Sequence, residues 1–382
     1  MSPVEGADDL LVVAGEASGD AHAAELLLEL KELHPNVKPF GLGGSRCEAA
    51  GLMRLARSSE IAVVGITEVL RILSRAREIF HALLAEVDRR GAKTAVLVDF
   101  PDFNLRLAKA LEKRGVRVVY YVSPQVWAWR KGRVKTIARV VDRMLVLFGF
   151  EEEFYRRHGV EVTHVGHPLV DQVPELPRES PFERPGPQRL CLLPGSRRSE
   201  IRVHLPLMSE AARRLSRDTD LEVSWIVADE IDPDEFSELV PADLDLTLVA
   251  EDRFQTIVGS DLALCASGTA TLEVGLLGTP MVVVYKVSRL SSWVGRLVLS
   301  LPNISLVNLV LGREVVPEVL QGEATPEGIS TVAAGLLSDP QRLHNTSQEL
   351  GALRPQLGSR GASERAARVV KSVMTSERGE PT

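Results

Sequence analysis

The stretch Val96-Leu97-Val98-Asp99-Phe100-Pro101-Asp102-Phe103-Asn104 decides the fold that we predict for this chain. An apolar, β-branched run ends abruptly in two carboxylates, a proline and an asparagine, and this pattern is typical of a buried strand in a parallel sheet. Open parallel sheets bind their ligands at the carboxyl ends of the strands. We therefore expect Asp99 and Asp102 to lie beside a ligand.

The same strand–turn–helix pattern recurs on both sides of this stretch. Apolar runs predict further strands at residues 10–14, 39–44, 116–122, 144–148 and 162–165, and then at 190–193, 221–228, 246–250, 262–266 and 280–285. This alternation predicts an α/β fold of two doubly wound, Rossmann-like domains that face a central cleft. We expect the first domain at 1–173, a linker rich in Pro, Arg and Glu at 174–188, the second domain at 189–344, and a helical segment at 345–382 that crosses back to the first domain.

The composition excludes several classes of protein. A formal net charge of −7 over 382 residues gives no reason to expect nucleic acid as a partner. The first residues lack a basic segment followed by an apolar one, and no apolar run is long enough to span a membrane. We expect a cytoplasmic protein that contacts a membrane only at its surface. A reducing compartment also fits the wide spacing of its three cysteines, Cys47, Cys191 and Cys265.

A glycine-containing turn, residues 15–20, follows the first strand and opens a helix. Its sequence is Gly15-Glu16-Ala17-Ser18-Gly19-Asp20. Such a turn brings backbone N–H groups close to an anionic ligand, but it is equally typical of a tight turn in which Ser18 or Asp20 caps the helix. The spacing differs from that of a dinucleotide-binding fingerprint.

Aromatic and basic residues lie side by side after the strand at 116–122. The segment Ser123-Pro124-Gln125-Val126-Trp127-Ala128-Trp129-Arg130 is followed by Lys131, Arg133, Lys135 and Arg139. This combination suits a membrane interface or an anionic lipid head group, and a packed tryptophan pair beside a solvated helix face is the alternative. Further along, His164 and His167 have the spacing H-x-x-H, but on an extended segment they do not predict a metal site.

The second half contains two turns of small polar residues, each between a strand and a helix. The first is Gly195-Ser196-Arg197, and the second is Ser267-Gly268-Thr269, which precedes Glu273. Backbone N–H groups, hydroxyls and a guanidinium suit a nucleotide diphosphate, and a carboxylate one turn into the helix suits the two hydroxyls of a ribose. Two ordinary strand–helix turns remain the alternative. No P-loop motif is present.

Another apolar segment with arginines, residues 289–301, contains Trp293. It reads as a core helix or as a surface for acyl chains. Asn303 and Gln321 are polar groups in the otherwise apolar turns that follow it.

Taken in order, these motifs resemble the lipid A disaccharide synthase family of bacterial glycosyltransferases. The resemblance covers residues 11–321 and is highly specific because all the motifs occur together. It rests on residues 15–20, Val64-Gly65-Ile66-Thr67-Glu68-Val69-Leu70, 99–104, 121–130, Val165-Gly166-His167-Pro168-Leu169, 193–197, 267–273 and Ser300-Leu301-Pro302-Asn303.

The resemblance implies an inverting glycosyltransferase with the two-sheet fold of the GT-B type and with no metal or other cofactor. The donor would be UDP-2,3-diacylglucosamine and the acceptor 2,3-diacylglucosamine 1-phosphate, and the products would be a β(1→6)-linked tetra-acyl disaccharide 1-phosphate and UDP. The enzyme would lie peripherally on the cytoplasmic face of the inner membrane, as a possible homo-oligomer. Asp99 would be the general base, with Asp102 in reserve. The expected substrate-binding residues are Glu16, Ser18, Gly19, Asp20, Asn104, Gln125, Trp127, Arg130, Gly195, Ser196, Arg197, Ser267, Gly268, Thr269, Glu273, Asn303 and Gln321.

One residue departs from the family pattern, because Gly149 stands where the family usually has proline before Phe150-Glu151. The change replaces a rigid turn by a flexible one. Two alternatives to the synthase remain open from the sequence. One is another UDP-hexosamine enzyme of the same fold, a 2-epimerase or an N-acetylglucosaminyltransferase, and the other is a non-catalytic binder of a nucleotide sugar or lipid.

Overall fold

A computed structural model describes residues 8–60, 69–124, 131–178, 186–229, 231–286 and 303–376. The chain divides into two compact units, the first formed by residues 1–168 and 358–382 and the second by residues 169–357. Each unit is built around one parallel sheet covered by helices on both faces. The fold is therefore α/β with two doubly wound sheets, as the alternating pattern predicts.

The first sheet has seven parallel strands in the order β3-β2-β1-β4-β5-β6-β7. Its strands are β1 (Asp9–Ala14), β2 (Lys38–Gly43), β3 (Met53–Arg57), β4 (Thr94–Val98), β5 (Arg117–Tyr121), β6 (Arg143–Val146) and β7 (Val162–His164). The helices between them are α1 (Ala17–Leu33), α2 (Ser45–Ala49), α3 (Val69–Arg90), α4 (Pro101–Glu112), α5 (Val134–Val140) and α6 (Gly149–Arg157), with short 3₁₀ turns at Ser58–Glu60 and Lys131–Arg133.

Burial on both faces explains why the central strands are continuously apolar. Every residue of β4 is buried, because α3, α4 and α5 pack against one face of the sheet and α1 packs against the other. The order of the strands reverses between β1 and β4, so the loops that follow these two strands lie at a topological switch point. This is the edge at which the sequence places Asp99.

The second sheet has six parallel strands in the order β10-β9-β8-β11-β12-β13. They are β8 (Gln188–Leu193), β9 (Leu221–Ile226), β10 (Leu246–Val249), β11 (Leu262–Ala266), β12 (Met281–Tyr285) and β13 (Glu318–Leu320). Helices α7 (Leu169–Gln172), α8 (Arg198–Leu215), α9 (Arg253–Gly259), α10 (Thr269–Leu276), α11 (Leu306–Leu311), α12 (Pro326–Leu337), α13 (Pro340–Leu350) and α14 (Leu353–Leu357) belong to this unit, as does a 3₁₀ segment at Pro233–Leu239. Here the switch point lies between β8 and β11.

The last helix, α15 (Ala362–Thr375), belongs to the first unit. It packs against α1, where Ser363 Oγ donates to Glu25 Oε2 at 3.1 Å and Lys371 Nζ donates to the Leu33 carbonyl at 2.7 Å. The segment that returns to the first unit thus begins at Gly358, not at 345, because α13 and α14 stay with the second unit.

The predicted linker at 174–188 also lies with the second unit where it is described. Arg178 donates hydrogen bonds to the carbonyls of Val258 and Ser260 at 2.8 and 2.7 Å and to Thr279 Oγ1 at 2.9 Å. The first unit therefore ends at Pro168, a few residues before the predicted 173. Within the described part of the chain, no helix is both long enough and apolar enough to cross a membrane.

Candidate active site

Asp99 lies at the switch point of the first sheet, directly after β4. Its N–H donates to the Tyr121 carbonyl at 2.9 Å, so the pairing with β5 extends to this residue. Asp99 and Phe100 then both adopt left-handed backbone conformations, with φ of 46° and 47°. Two consecutive non-glycine residues in this region are strained, and such strain clusters at functional sites.

The environment of Asp99 suits a base that works near neutral pH. Burial raises its pKa from 3.8 to about 6, the nearby negative charge of Glu16 acts in the same direction, and a hydrogen bond from the Phe100 N–H opposes both. A carboxylate with a pKa near 6 accepts a proton from a reacting hydroxyl more readily than an ordinary aspartate does. The structure thus places Asp99 and Glu16, both predicted site residues, close enough to interact.

Gly15 permits the turn that follows β4. A Cβ atom on Gly15 would lie 2.4 Å from Cδ1 of the Phe100 ring, so any other residue would displace that ring. Phe100 in turn packs against Phe103, with ring centroids 5.6 Å apart. The first glycine of the 15–20 turn is therefore required by packing against the Asp99–Phe100 turn.

Asn104 is fully buried and faces the protein, not solvent. Its side-chain amide donates to the carbonyl oxygens of Val98 and Asp99 at 3.1 and 2.8 Å. Asp102, on the first turn of α4, is 70% exposed and forms an ion pair with Arg133. The two aspartates therefore occupy different environments. The expected contact of Asn104 with substrate stays a prediction, and Gln125, Trp127 and Arg130 lie outside the described residues.

The other residues of the 15–20 turn divide into two groups. Glu16 and Ser18 are exposed, whereas Gly19 and Asp20 are buried. The Asp20 carboxylate accepts backbone N–H groups of Gly44, Arg46 and Cys47 at 2.6, 3.1 and 3.2 Å. Asp20 thereby satisfies the N-terminus of α2. Its role in binding substrate stays a prediction, and these three bonds give it a structural role.

In the second unit, the turn Gly195-Ser196-Arg197 follows β8 and opens α8. The carboxylate of Glu200 caps this helix, because Oε2 accepts the N–H groups of Ser196 and Arg197 at 3.2 and 3.3 Å and Oε1 accepts from the Arg197 guanidinium at 2.8 Å. The Arg197 side chain is 67% exposed. The N–H groups and the guanidinium that we expect to bind a diphosphate thus already donate hydrogen bonds to the carboxylate of Glu200.

The neighbouring turn Ser267-Gly268-Thr269 follows β11 and opens α10. The Ser267 N–H donates to the Val284 carbonyl at 3.0 Å, so it continues the sheet and leaves the hydroxyl as the group available to a ligand. Gly268 has a φ of 155°, and Thr269 is exposed. Both turns lie at the switch point of this sheet, where the predicted nucleotide site requires them.

Glu273 lies on α10 and is largely buried, with 14% of its side chain exposed. Burial raises its pKa and the nearby guanidinium of Arg253, whose Nε lies 3.5 Å from Oε1, lowers it. Gln321 follows β13 in a left-handed conformation with a φ of 47°. Its buried side-chain nitrogen has no hydrogen-bond partner among the described residues, which leaves a donor for a ligand. Asn303 is half-buried at the start of a described segment.

Sequence reasoning gave no role to four side chains that the structure brings to these edges. The Tyr120 hydroxyl donates to the Asp99 carbonyl at 2.6 Å. Glu200 could have been found from its position three residues after Arg197, which is the spacing of a capping box. His22 and His167 lie with ring centroids 6.4 Å apart, and burial lowers their pKa values to about 4 and about 3. The described residues contain no group of three or more side chains that could ligate a metal.

The fold recurs in solved structures of a glycotransferase and of a 2-epimerase. A solved glycotransferase of kitacinnamycin matches 96% of this chain and 98% of its own length, with a TM-score of 0.61 at 16% identity. A UDP-GlcNAc 2-epimerase from Neisseria meningitidis, solved with UDP-GlcNAc bound, matches 95% and 99% with a TM-score of 0.56 at 10% identity. At these identities the likeness establishes the fold, which is that of GT-B glycosyltransferases.

Sequence relatives are far closer. The lipid-A-disaccharide synthase of Myxococcus xanthus is 47% identical over 372 residues, which cover 96% of this chain and 97% of that protein. A family model described as lipid-A-disaccharide synthetase matches residues 10–373. This match spans both sheets and both switch points, and it includes most of α15. The chain therefore belongs to the lipid-A-disaccharide synthase family.

Proposed function

We propose that this glycosyltransferase transfers 2,3-diacylglucosamine from its UDP donor to the 6-hydroxyl of 2,3-diacylglucosamine 1-phosphate. The products are a β(1→6)-linked tetra-acyl disaccharide 1-phosphate and UDP. The observation that carries the proposal is the family match over residues 10–373, within which a half-buried carboxylate with a raised pKa follows the central strand β4. We infer both substrates from the family match. We choose Asp99 as the base because of its position after β4 and its raised pKa.

In the proposed mechanism the acceptor hydroxyl loses its proton to the Asp99 carboxylate as its oxygen attacks the anomeric carbon. The bond from this carbon to the diphosphate oxygen breaks, and the configuration inverts. UDP leaves with the electron pair of that bond, and its negative charge grows as the bond lengthens. Asp99 ends protonated, and with a pKa near 6 it returns the proton to water at neutral pH.

The second unit supplies the groups that suit UDP. The exposed guanidinium of Arg197 would pair with the diphosphate in a bidentate manner, and the helix N-terminus behind it favours negative charge. These groups would stabilise the leaving UDP more strongly as its charge develops. Glu273 would accept the ribose hydroxyls, and the donor nitrogen of Gln321 would orient the sugar.

Because the proposed substrates are acylated, we propose that the reaction occurs at a membrane surface and that the protein lies peripherally on the cytoplasmic face of the inner membrane. Lys135 and Arg139 are exposed on α5 and continue the basic run that begins at Arg130. Charge reversal of Lys135 and Arg139 should weaken partition onto vesicles that contain anionic phospholipid, because each basic residue near such a surface contributes about 1 kcal/mol. Unchanged partition would remove this surface from the proposal.

The deciding experiment incubates the protein with UDP-2,3-diacylglucosamine and 2,3-diacylglucosamine 1-phosphate and follows both products by mass spectrometry. Release of UDP together with a tetra-acyl disaccharide 1-phosphate supports the proposal. Conversion of the donor to its C2 epimer without an acceptor would instead indicate a 2-epimerase. UDP binding without any turnover would indicate a nucleotide-sugar binder. Asp99→Asn is the matched control, because it should bind UDP and form no disaccharide.

A further inference from the structure

The turn that carries Asp99 is held in a conformation that its own sequence disfavours. Asp99 and Phe100 have φ values of 46° and 47°, and each non-glycine residue in this region costs roughly 1–2 kcal/mol. Phe100 also precedes Pro101, and a residue before proline normally adopts an extended conformation. The turn therefore persists because contacts from elsewhere in the fold stabilise it.

The first of these contacts comes from Asn104. One side-chain nitrogen, Nδ2, donates to the carbonyl oxygens of Val98 and Asp99 at 3.1 and 2.8 Å. These carbonyls belong to the two peptide planes on either side of the Asp99 Cα atom. Because the orientations of both planes define φ and ψ at that atom, a donor bonded to both carbonyls fixes the direction in which the Asp99 side chain leaves the backbone.

The second contact comes from Tyr120 on the neighbouring strand β5. Its hydroxyl donates to the Asp99 carbonyl at 2.6 Å, so this oxygen accepts two hydrogen bonds. Tyr120 and Asn104 are both completely buried, and neither presents its polar atoms to solvent. Residues placed in this way cannot touch a substrate without a rearrangement of the core, but both act directly on the backbone of Asp99.

We propose that Asn104 and Tyr120 are positioning residues, which hold the Asp99–Phe100 turn so that the Asp99 carboxylate points at the acceptor hydroxyl. The inference rests on the proposed function, in which Asp99 is the base. The sequence suggested that Asn104 binds substrate. In the positioning role Asn104 acts instead on the backbone of Asp99. General-base catalysis requires the base within hydrogen-bond reach of the proton, so a small rotation of this turn lowers turnover without loss of substrate binding.

The test compares Tyr120→Phe and Asn104→Ala with the wild-type protein. Removal of one hydrogen bond in Tyr120→Phe should lower kcat about tenfold, and removal of two in Asn104→Ala should lower it about a hundredfold. KM for both substrates and the affinity for UDP should stay unchanged. A loosened turn also admits water to Asp99, so the acid limb of the pH profile of kcat/KM should move to lower pH, because hydration favours the charged carboxylate.

Val116→Ala is the matched control for a loss of stability. Val116 is buried immediately before β5, at the end of the strand opposite to the one that pairs with Asp99. This variant should be less stable than the wild type but keep its kcat and its pH profile. If Asn104→Ala does not fold, Tyr120→Phe alone decides the question, because it removes a single oxygen atom from the core.

The outcomes separate this inference from the proposed function. An inactive Asp99→Asn together with full kcat in Tyr120→Phe and Asn104→Ala would overturn only the positioning roles. A rise in KM without a fall in kcat would also overturn them, because it would indicate direct binding. A fully active Asp99→Asn would overturn the base assignment and the positioning roles together.

Discussion

Replacement of Asp99 by asparagine should strongly lower turnover and, at the same time, stabilise the first unit at neutral pH. Asparagine has the same shape and tolerates a left-handed conformation, so the turn should survive. Because the folded protein raises the pKa of Asp99 from 3.8 to about 6, ionisation of this group opposes folding. This change in pKa corresponds to roughly 3 kcal/mol in the free energy of unfolding at neutral pH.

The sign of this effect follows from the protons bound in each state. Between pH 3.8 and about 6 the folded state keeps the Asp99 proton that the unfolded state has lost, so this group lowers stability as pH rises. Asp99→Asn has no such group. The variant should match the wild type near pH 4 and exceed it by up to about 3 kcal/mol above pH 6, and most of this gain should appear within that window.

Hydrogen exchange of peptides from β4 and β5 measures the stability of the first unit by itself, when both proteins are compared at the same pH. Asp102→Asn is the matched control for stability, because Asp102 is 70% exposed and its ion pair should contribute little at any pH. The reasoning would be refuted if the backbone amides of β4 and β5 were equally protected from exchange in wild type and Asp99→Asn above pH 6. A difference in protection that does not depend on pH would refute it too. Turnover of the same two variants decides which carboxylate is the base. We expect it to fall about 10²- to 10⁴-fold in Asp99→Asn.

Three further changes test the groups around the two switch points. Glu200→Gln removes the anion that occupies the N-terminus of α8 but keeps a capping side chain. The affinity for UDP, measured by calorimetry, should therefore rise about fivefold. A lower affinity would mean that Glu200 serves to orient Arg197. Arg197→Lys should weaken UDP binding about tenfold through loss of bidentate pairing, and an unchanged Kd would remove Arg197 from the site. Asp20→Ala should lower the free energy of unfolding by about 2–4 kcal/mol, because three backbone N–H groups lose their acceptor; a neutral effect in chemical denaturation would contradict this structural role.

Much of the fold could be predicted because buried parallel strands have continuously apolar sequences. The strands that carry the site, β1, β4, β8 and β11, are of this kind. The two strands that we did not predict lie at the edges of their sheets. β3 is mostly exposed or half-buried, with polar and apolar residues interspersed, and β13 has only three residues, so neither shows the pattern of a central strand.

The sequence could locate candidate site residues at the ends of central strands, but several of their contacts could not be predicted. Asp99 could be located because it ends a central strand. The partners of Asp20 lie 24 to 27 residues further along the chain, and Asn104 acts on a turn whose left-handed conformation no local propensity favours. Helix α4 begins at Pro101, directly after the Asp99–Phe100 turn, and Asn104 lies on its buried face. These roles depend on tertiary packing and cannot be read from spacing.

The return of α15 to the first unit has a consequence for the order in which the protein is made. Residues 169–357 form the second unit as one unbroken segment, and the ribosome completes this segment before it reaches α15. Until then α1 and the neighbouring face of β4 and β5 lack the helix that covers them. Domains usually fold in the order of their synthesis. In this chain the unit that is started first is finished last, and the first sheet acquires its full cover only after the second unit has been translated.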